Sequence, residues 1–297
     1  MKIMITGANG TIGADLVNFF YKKHKIFAFY RTPNHATKNF KNKNIKWIKQ
    51  DLSKKIIKKI NPSIIIHCVV THPFAKKNSD KDYISSNIIS LKNVLEFAKK
   101  RKIKKFFYLS SFKIYGAVNR KNVNEDDIFL KPDILGATKI LSEKLIEHQK
   151  LNYLIIRLPG VISYNISDQR RPWINSIINK LKLNSNVEIF NQNKKFNNVI
   201  DTFEIFKFID FLKDKRKIKI GKLNLSASKP VQIKNMVLDL KKNLSSKSKI
   251  IFQKKKSQHF TIQTNNLKKY NFKTSTTHLI LRRYIKNLNN FCFNDDK

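Results

Sequence analysis

Cysteine is nearly absent: the 297 residues hold two, Cys68 and Cys292. Two cysteines make no disulfide framework and no metal-ligand spacing. Cys68 stands in an apolar segment, where a free thiol behaves as a small hydrophobe. Long apolar runs are missing too. The longest, Ile64 to Val70, contains His67 and falls far short of the ~20 apolar residues that span a bilayer. No apolar signal region precedes the first strand, because Met1-Lys2-Ile3 opens directly into it. These absences lead to the expectation of a soluble, cytoplasmic chain with no membrane partner. Acidic residues are also scarce, 20 against 61 basic, for a formal charge of +41. Such an excess ordinarily points to nucleic acid or an anionic surface. Here it is mostly lysine, and it comes with abundant Asn, Ile and Phe, all residues with A/T-rich codons. A biased genome would produce that composition without selecting a partner. The lysines read as scattered over every helix face and loop, a weaker footprint than a stripe. Nucleic acid is therefore expected to bind only non-specifically.

Glycine is scarce as well, but three of the seven glycines fall in Thr6-Gly7-Ala8-Asn9-Gly10-Thr11-Ile12-Gly13. The apolar run Ile3 to Ile5 stops at this turn and a helical pattern begins beyond it. Gly7 permits a tight turn, Gly10 a close approach of backbone to ligand, and Gly13 close helix–strand packing. The amides of the turn, through Asn9, Thr11 and Ile12, can face a pyrophosphate, and the helix N-terminus adds a favourable dipole. The reading is a dinucleotide site.

Strand patterns near 2–6, 25–30, 45–49, 63–70, 104–110 and 152–158 alternate with helical patterns near 12–23, 53–60, 79–100 and 134–150. That alternation predicts an α/β fold, a doubly wound parallel sheet of Rossmann type. Continuous runs such as Ser63-Ile64-Ile65-Ile66 fit strands buried on both faces. After Pro159-Gly160 the pattern turns irregular. Helices are expected near 172–183, 202–213, 231–243 and 276–288, with short strands near 187–190, 197–200 and 222–226. The division expected is a dinucleotide-binding domain at 1–160 and a smaller mixed portion at 161–297, interleaved or not.

The T-G-x-x-G-x-x-G spacing resembles the short-chain dehydrogenase/reductase superfamily, and further motifs resemble its extended branch, the NAD(P)-dependent epimerase/dehydratase family that acts on nucleotide sugars. The resemblance is firm to about Pro159 and looser beyond. It implies a nucleotide-sugar-like ligand, a C-terminal substrate-binding portion and the option of a homodimer. Where the family often has Asp, this chain has Tyr30, followed by Arg31. With no carboxylate to repel a 2′-phosphate, and a guanidinium to pair with it, NADP is expected over NAD. By resemblance Asp51 and Leu52 lie at the adenine; read alone, Asp51 is an N-cap for the helix near Ser53. The stretch His67-Cys68-Val69-Val70 matches an H-x-A-A element where backbone passes the cofactor at Val69, and His67 itself reads as core. Asn87 matches a helix Asn that fixes strand backbone near the active site, or else is a surface residue.

Leu109-Ser110-Ser111-Phe112-Lys113-Ile114-Tyr115-Gly116 resembles the S-[ST]-x-x-V-Y-G signature. It implies Ser111 as the hydroxyl that binds the substrate oxygen; a turn residue is the plainer reading. The family's Y-x-x-x-K places Tyr and Lys one turn apart on a helix face. Lys139 fits as the lysine that holds the nicotinamide ribose, and Ser142-Glu143 continues the pattern. Four residues before Lys139 stands Leu135, not Tyr. Leucine transfers no proton. Asp133, the nearest ionisable group, reads as an N-cap, and Tyr115 as a packing or substrate-contact residue. Arg157-Leu158-Pro159 resembles a family element that sets Pro159 beside the nicotinamide. Arg170 and Arg171 fall where a diphosphate is received, and Asn197-Asn198 in an element that contacts the sugar nucleotide. Two functions stay open: an NAD(P)-dependent epimerase, dehydratase or reductase, or a catalytically inactive dinucleotide-binding regulator or RNA-binding protein on the same fold.

Overall fold

The computed structural model describes residues 1–297 apart from 72–78, 119, 128, 165–171, 217, 255–258 and 288–297. Arg170, Arg171 and Cys292 lie outside the described residues. The chain forms two compact units. The first comprises Met1–Ala117, Ile128–Leu158 and Ile205–Leu223; the second comprises Val118–Asp127, Pro159–Glu204 and Asn224–Lys297. The boundary read near residue 160 is thus one of several places where the chain passes from one unit to the other.

In the first unit the order is β1 (Lys2–Thr6), α1 (Thr11–Phe20), β2 (Lys25–Tyr30), α2 (His35–Asn39), β3 (Ile45–Lys49) and β4 (Ile64–His67). Then follow α3 (Asp80–Tyr83), a π-helical stretch Ile84–Ile89, α4 (Ser90–Lys100) and β5 (Lys105–Ser111). The unit continues with a 3-10 turn Phe112–Tyr115, α5 (Ile134–Glu147) and β7 (Tyr153–Leu158), β6 (Asn122–Val123) lying in the second unit. The helix α7 (Thr202–Lys213) and the strand β12 (Gly221–Asn224) each begin or end across a unit boundary. Seven parallel strands line up as β12-β7-β5-β4-β1-β2-β3. Winding reverses between β1 and β4, so a crevice opens at their carboxyl ends, where open α/β sheets receive ligands.

The predicted strands form because their β-branched and aromatic runs bury both faces. On one face Met4, Phe27, Ile65, Phe106 and Ile155 pack with Leu91, Val94, Leu95 and Ala98 of α4. Ile3, Ile5, Ala28 and Ile66 are buried on the other, as are Leu16, Val17 and Phe20 of α1. Two expectations fail. No helix covers 53–60: after a turn at Leu52–Ser53 the chain is irregular. This link must pass β2 and β1 to reach β4, three strand spacings of about 4.8 Å each, and extended chain gains about 3.3 Å per residue against 1.5 Å in a helix. Pro62 also disfavours helix just before it. Second, β4 stops at His67 rather than Val70, which leaves Cys68 just beyond the strand. Among the described residues no helix is long and apolar enough to cross a membrane.

The second unit is built of two-stranded pairs. β6 pairs with β15 (Thr261–Ile262), β8 (Gly160–Ile162) with β11 (Val199–Asp201), and β9 (Val187–Ile189) with β14 (Ile250–Phe252), all parallel. β10 (Lys195–Phe196) and β13 (Val231–Gln232) pair antiparallel. Around them lie α6 (Pro172–Lys182), α8 (Ile233–Asn243) and α9 (Thr277–Asn287). A buried charge cluster ties the unit together: Arg283 on α9 bonds both Asp201 and Glu204, and the Tyr164 hydroxyl donates to Asp201 at 2.7 Å.

Candidate dinucleotide and active site

The glycine turn links β1 to α1. Gly7 sits at φ +63°, a conformation L side chains rarely adopt, and Gly10 is the N-cap of α1. A Cβ on Gly13 would stand 2.1 Å from the Gly7 carbonyl oxygen, so only glycine lets the helix start this close to the strand. A Cβ on Gly10 would meet protein at 3.2 Å, at the Gly7 oxygen. The fold therefore needs Gly13 more than Gly10, and Gly10 keeps its outer side clear for something else. As N-cap, Gly10 offers no side chain to the first-turn amides, which have no acceptor within a helix. No acidic residue occupies the first turn of α1 to compete for its positive end. These features fit a pyrophosphate.

The neighbouring loops close on the turn. The Asn9 amide donates to the Thr32 carbonyl at 2.6 Å, and Asn34 donates back to the Asn9 carbonyl at 2.7 Å. Arg31, exposed just past β2, precedes the residue whose carbonyl receives the Asn9 bond, and its charge acts on the Asp51 and Asp82 carboxylates. The Asp51 carboxylate accepts from the Ser53 amide and hydroxyl at 2.9 and 2.8 Å. Partial burial works against its ionisation, but those two bonds, with Arg31 and Lys54, hold it below its ordinary value. Asp51 thus caps a turn, not a helix. Leu52 is buried in the core and its carbonyl accepts from Asn93. The Val69 amide would lie 3.2 Å from a Cβ on Gly7, so backbone at Val69 does pass the turn. Pro159 is buried and belongs to the second unit.

His67 is core, as read. Its Nδ1 is 2.9 Å from the Thr6 hydroxyl, its ring stacks on Tyr108, and burial, with the Lys139 charge acting the same way, lowers its pKa to about 3. Cys68 is raised to about 12 by burial and is no nucleophile at neutral pH. Asn87 is not a surface residue. It is 1% exposed, accepts from the Thr71 amide at 2.9 Å and donates to the Thr138 hydroxyl at 2.9 Å. It ties the loop after β4 to α5. The π-helical stretch makes this possible: it turns Ser86 and Asn87 inward and leaves Ile84 and Ile89 exposed, the reverse of an ordinary amphipathic helix.

Lys139 is 3% exposed, donates to the Leu109 carbonyl at 2.9 Å and holds its ammonium 4.5 Å over the Tyr108 ring. Burial lowers its pKa to about 8. Ser111, just past the buried part of β5, accepts from the Lys113 amide at 3.2 Å; its hydroxyl proton is left for another acceptor. Leu135 is 2% exposed, one turn from Lys139 on α5. Of the two other candidate proton carriers, one is committed elsewhere and the other is buried. Asp133 caps α5 at the Gly136 amide, 2.8 Å, and pairs with Lys113 at 3.1 Å. Tyr115 is buried and its hydroxyl accepts from Arg157 at 3.0 Å.

Sequence reasoning missed how Glu143 and Arg157 pair. Arg157 forks onto Glu143 at 2.7 and 3.1 Å, Ser110 donates to the same carboxylate at 2.5 Å, and all are buried. The network locks α5 to β5 and β7 directly behind Ser111 and Lys139. Only the rarity of an unpartnered buried Arg could have signalled it. In the second unit Asn197 is structural: it donates to the carbonyls of Ala227 and Ile262 and accepts from the Ile262 amide. Asn198 is the one left with a buried side-chain oxygen that no described residue bonds.

A glycine turn at the switch point of a doubly wound sheet, with Ser and Lys at the next strand end and helix, defines a dinucleotide-binding protein of the short-chain dehydrogenase/reductase type. The model of the NAD dependent epimerase/dehydratase family matches residues 3–218, and the chain belongs to that family. An uncharacterized protein of Methanocaldococcus jannaschii is 25% identical over 84% of this chain and 82% of its own length. A dTDP-D-glucose 4,6-dehydratase of Dictyostelium discoideum is 25% identical over 73% of this chain and 56% of its own. Among solved structures, a UDP-N-acetylglucosamine 4-epimerase from Methanobrevibacter ruminantium M1, in complex with UDP-N-acetylmuramic acid, superposes with a TM-score of 0.81 at 20% identity, covering 96% of this chain and 97% of the other. UDP-glucuronic acid 4-epimerase from Bacillus cereus, in complex with NAD, gives 0.77 at 20% identity, covering 97% and 99%. At such identity these likenesses are of fold.

Proposed function

We propose that this chain binds a nicotinamide dinucleotide, NADP over NAD, and a nucleotide sugar, and that its proton-transfer half is impaired by Leu135. The carrying observation is the glycine turn, with Gly10 open toward the helix N-terminus, and Arg31 just past β2. Gly7 to Gly13 would cradle the pyrophosphate, Arg31 the 2′-phosphate, Asp51, Leu52 and Val69 the adenine side, and Lys139 the nicotinamide ribose. Lys139 spends one of its three N–H donors on Leu109, leaving two. When bound, the nicotinamide supplies hydride transfer at a sugar carbon. Ser111 would donate its hydroxyl to the reacting oxygen. Leu135 moves no proton, Asp133 is held in a cap and an ion pair, and Tyr115 is buried beside Arg157. That commitment also favours the second reading, a protein that binds dinucleotide without turning over.

The cofactor preference is open to a direct test. Arg31→Asp should weaken NADPH by roughly 10–100-fold, the worth of about 1.5–3 kcal/mol for a hydrogen bond to a charged group, and should leave NADH equal or tighter. Fluorescence titration of both dinucleotides checks this. Unchanged NADPH affinity in the variant would remove Arg31 from the site.

A further inference from the structure

Parallel topology sorts the charge of the first unit in a way the sequence alone conceals. Of the residues that open the loops after β1 to β4, 7–10, 31–34, 50–53 and 68–71, one is a cation, Arg31, and Lys54 follows beside Asp51. The opposite edge, where strands begin and helices end, is lysine-rich. A row of hydrogen bonds marks it: the backbone bonds Lys25 to Met1, Ser63 to Lys2 and Lys104 to Ser63, and the Asn152 side-chain amide donating to the Lys104 carbonyl. Along this row Lys2, Lys25, Lys58, Lys102, Lys104 and Lys150 are exposed. Arg101 at the end of α4 donates to the Lys58 carbonyl, which joins the 54–60 segment to the edge. Lys105 holds the last carbonyls of α7, Leu212 and Lys213, and so brings the chain that follows to the same edge. Three carboxylates there are paired, Asp210 and Asp214 with Lys213 and Glu147 with Lys144.

Exposed aliphatics lie within this cationic edge. Ile57, flanked by Lys54, Lys55, Lys58 and Lys59, is 77% exposed, and Ile220, between Lys219 and Lys222, is 59% exposed. An RNA surface gains nothing from bare isoleucine and uses aromatic platforms; Phe211, near in sequence, already carries the Lys215 ammonium over its ring at 4.5 Å. Lysines around isolated aliphatic tips match an anionic lipid interface, where charge attracts and the tip inserts. We propose that this edge lies against an anionic bilayer surface, with Ile57 and Ile220 entering the headgroup layer and the glycine turn facing away from it. The expectation of no membrane partner came from the absence of a spanning segment, and lying on a surface needs none.

The test is co-sedimentation of the full chain with vesicles of phosphatidylcholine, with and without phosphatidylserine. Binding is expected only with phosphatidylserine and should fall as salt rises. Lys58→Glu, Lys59→Glu, Lys102→Glu and Lys104→Glu together should weaken it about 100-fold or more, since each lysine near the surface is worth a factor of about five. The same charge change at exposed Lys242, Lys247, Lys249 and Lys268 of the second unit should cost far less. Ile57→Ser, which disturbs no packing, should weaken binding several-fold without altering the salt dependence. Equal losses in the two charge variants would reduce the effect to bulk charge and overturn the proposal. So would an Ile57→Ser protein that binds vesicles like the native chain, or polyuridine displacing the vesicles with an affinity that Ile57→Ser does not change.

Discussion

Leu135→Tyr is expected to raise turnover of a nucleotide-sugar substrate by about 10²–10⁴-fold, the usual worth of a positioned acid/base. The reason is geometric. Leu135 and Lys139 stand one turn apart on α5, so a phenol at 135 would lie on the face that carries the Lys139 ammonium. That charge would favour the phenolate, and Ser111 would share the substrate oxygen. The larger ring enters a site where leucine is 2% exposed, so a loss of about 1–3 kcal/mol in stability should accompany the gain. Turnover is to be followed as interconversion of UDP-sugars with bound dinucleotide, in the native chain and the variant. The gain should vanish when Ser111→Ala or Lys139→Met is added. Fast native turnover that survives Asp133→Asn and Tyr115→Phe would defeat this account, since no named proton carrier would remain.

Arg157→Met should destabilise the protein by about 3–5 kcal/mol, as expected when one member of a buried ion pair is left alone. Glu143 would keep a desolvated carboxylate with Ser110 as its remaining donor, and Tyr115 would lose its bond from Arg157. Adding Glu143→Met should restore much of the loss, because two apolar chains of similar length avoid the unpaired charge. Urea unfolding midpoints measure both. A single variant within 1 kcal/mol of the native chain would show that the pair is not what fixes α5 behind the site, and a double variant worse than the single would show the same.

The elements that depend on local pattern were legible in the sequence. β1, the glycine turn and α1 could be read from Ile3-Met4-Ile5 and Gly7, Gly10 and Gly13, because strand burial and turn chemistry are encoded within a few residues. Ser111, Lys139 and the departure at Leu135 were picked out by short motifs that resemble the family's, not by burial or turn chemistry. Contacts between distant segments were not. Asn87 meets Thr138 across 51 positions, and Arg157 of β7 meets Glu143 of α5, so neither periodicity nor composition points to the partner. The π-helical stretch escaped because Ile84 and Ile89 suggest a buried face that the wider helix rotates outward. At 53–60, isoleucines four apart, Ile56 and Ile60, imitate a helix; they are buried by a link that must travel under two strands.

Titration of the native protein with NADPH and NADH at physiological salt, beside Gly10→Val, measures the central claim most directly. A Cβ at position 10 meets the Gly7 oxygen at 3.2 Å, a tight contact that a shift of a few tenths of an ångström relieves, and the branched side chain would fill the pyrophosphate position, so folding of the variant is checked beside its binding. The account predicts saturable binding of both dinucleotides, NADPH the tighter, and a loss of roughly 100-fold, about 2.7 kcal/mol, in the folded variant. Absence of binding by either dinucleotide at millimolar concentration, with the native chain folded, would contradict it.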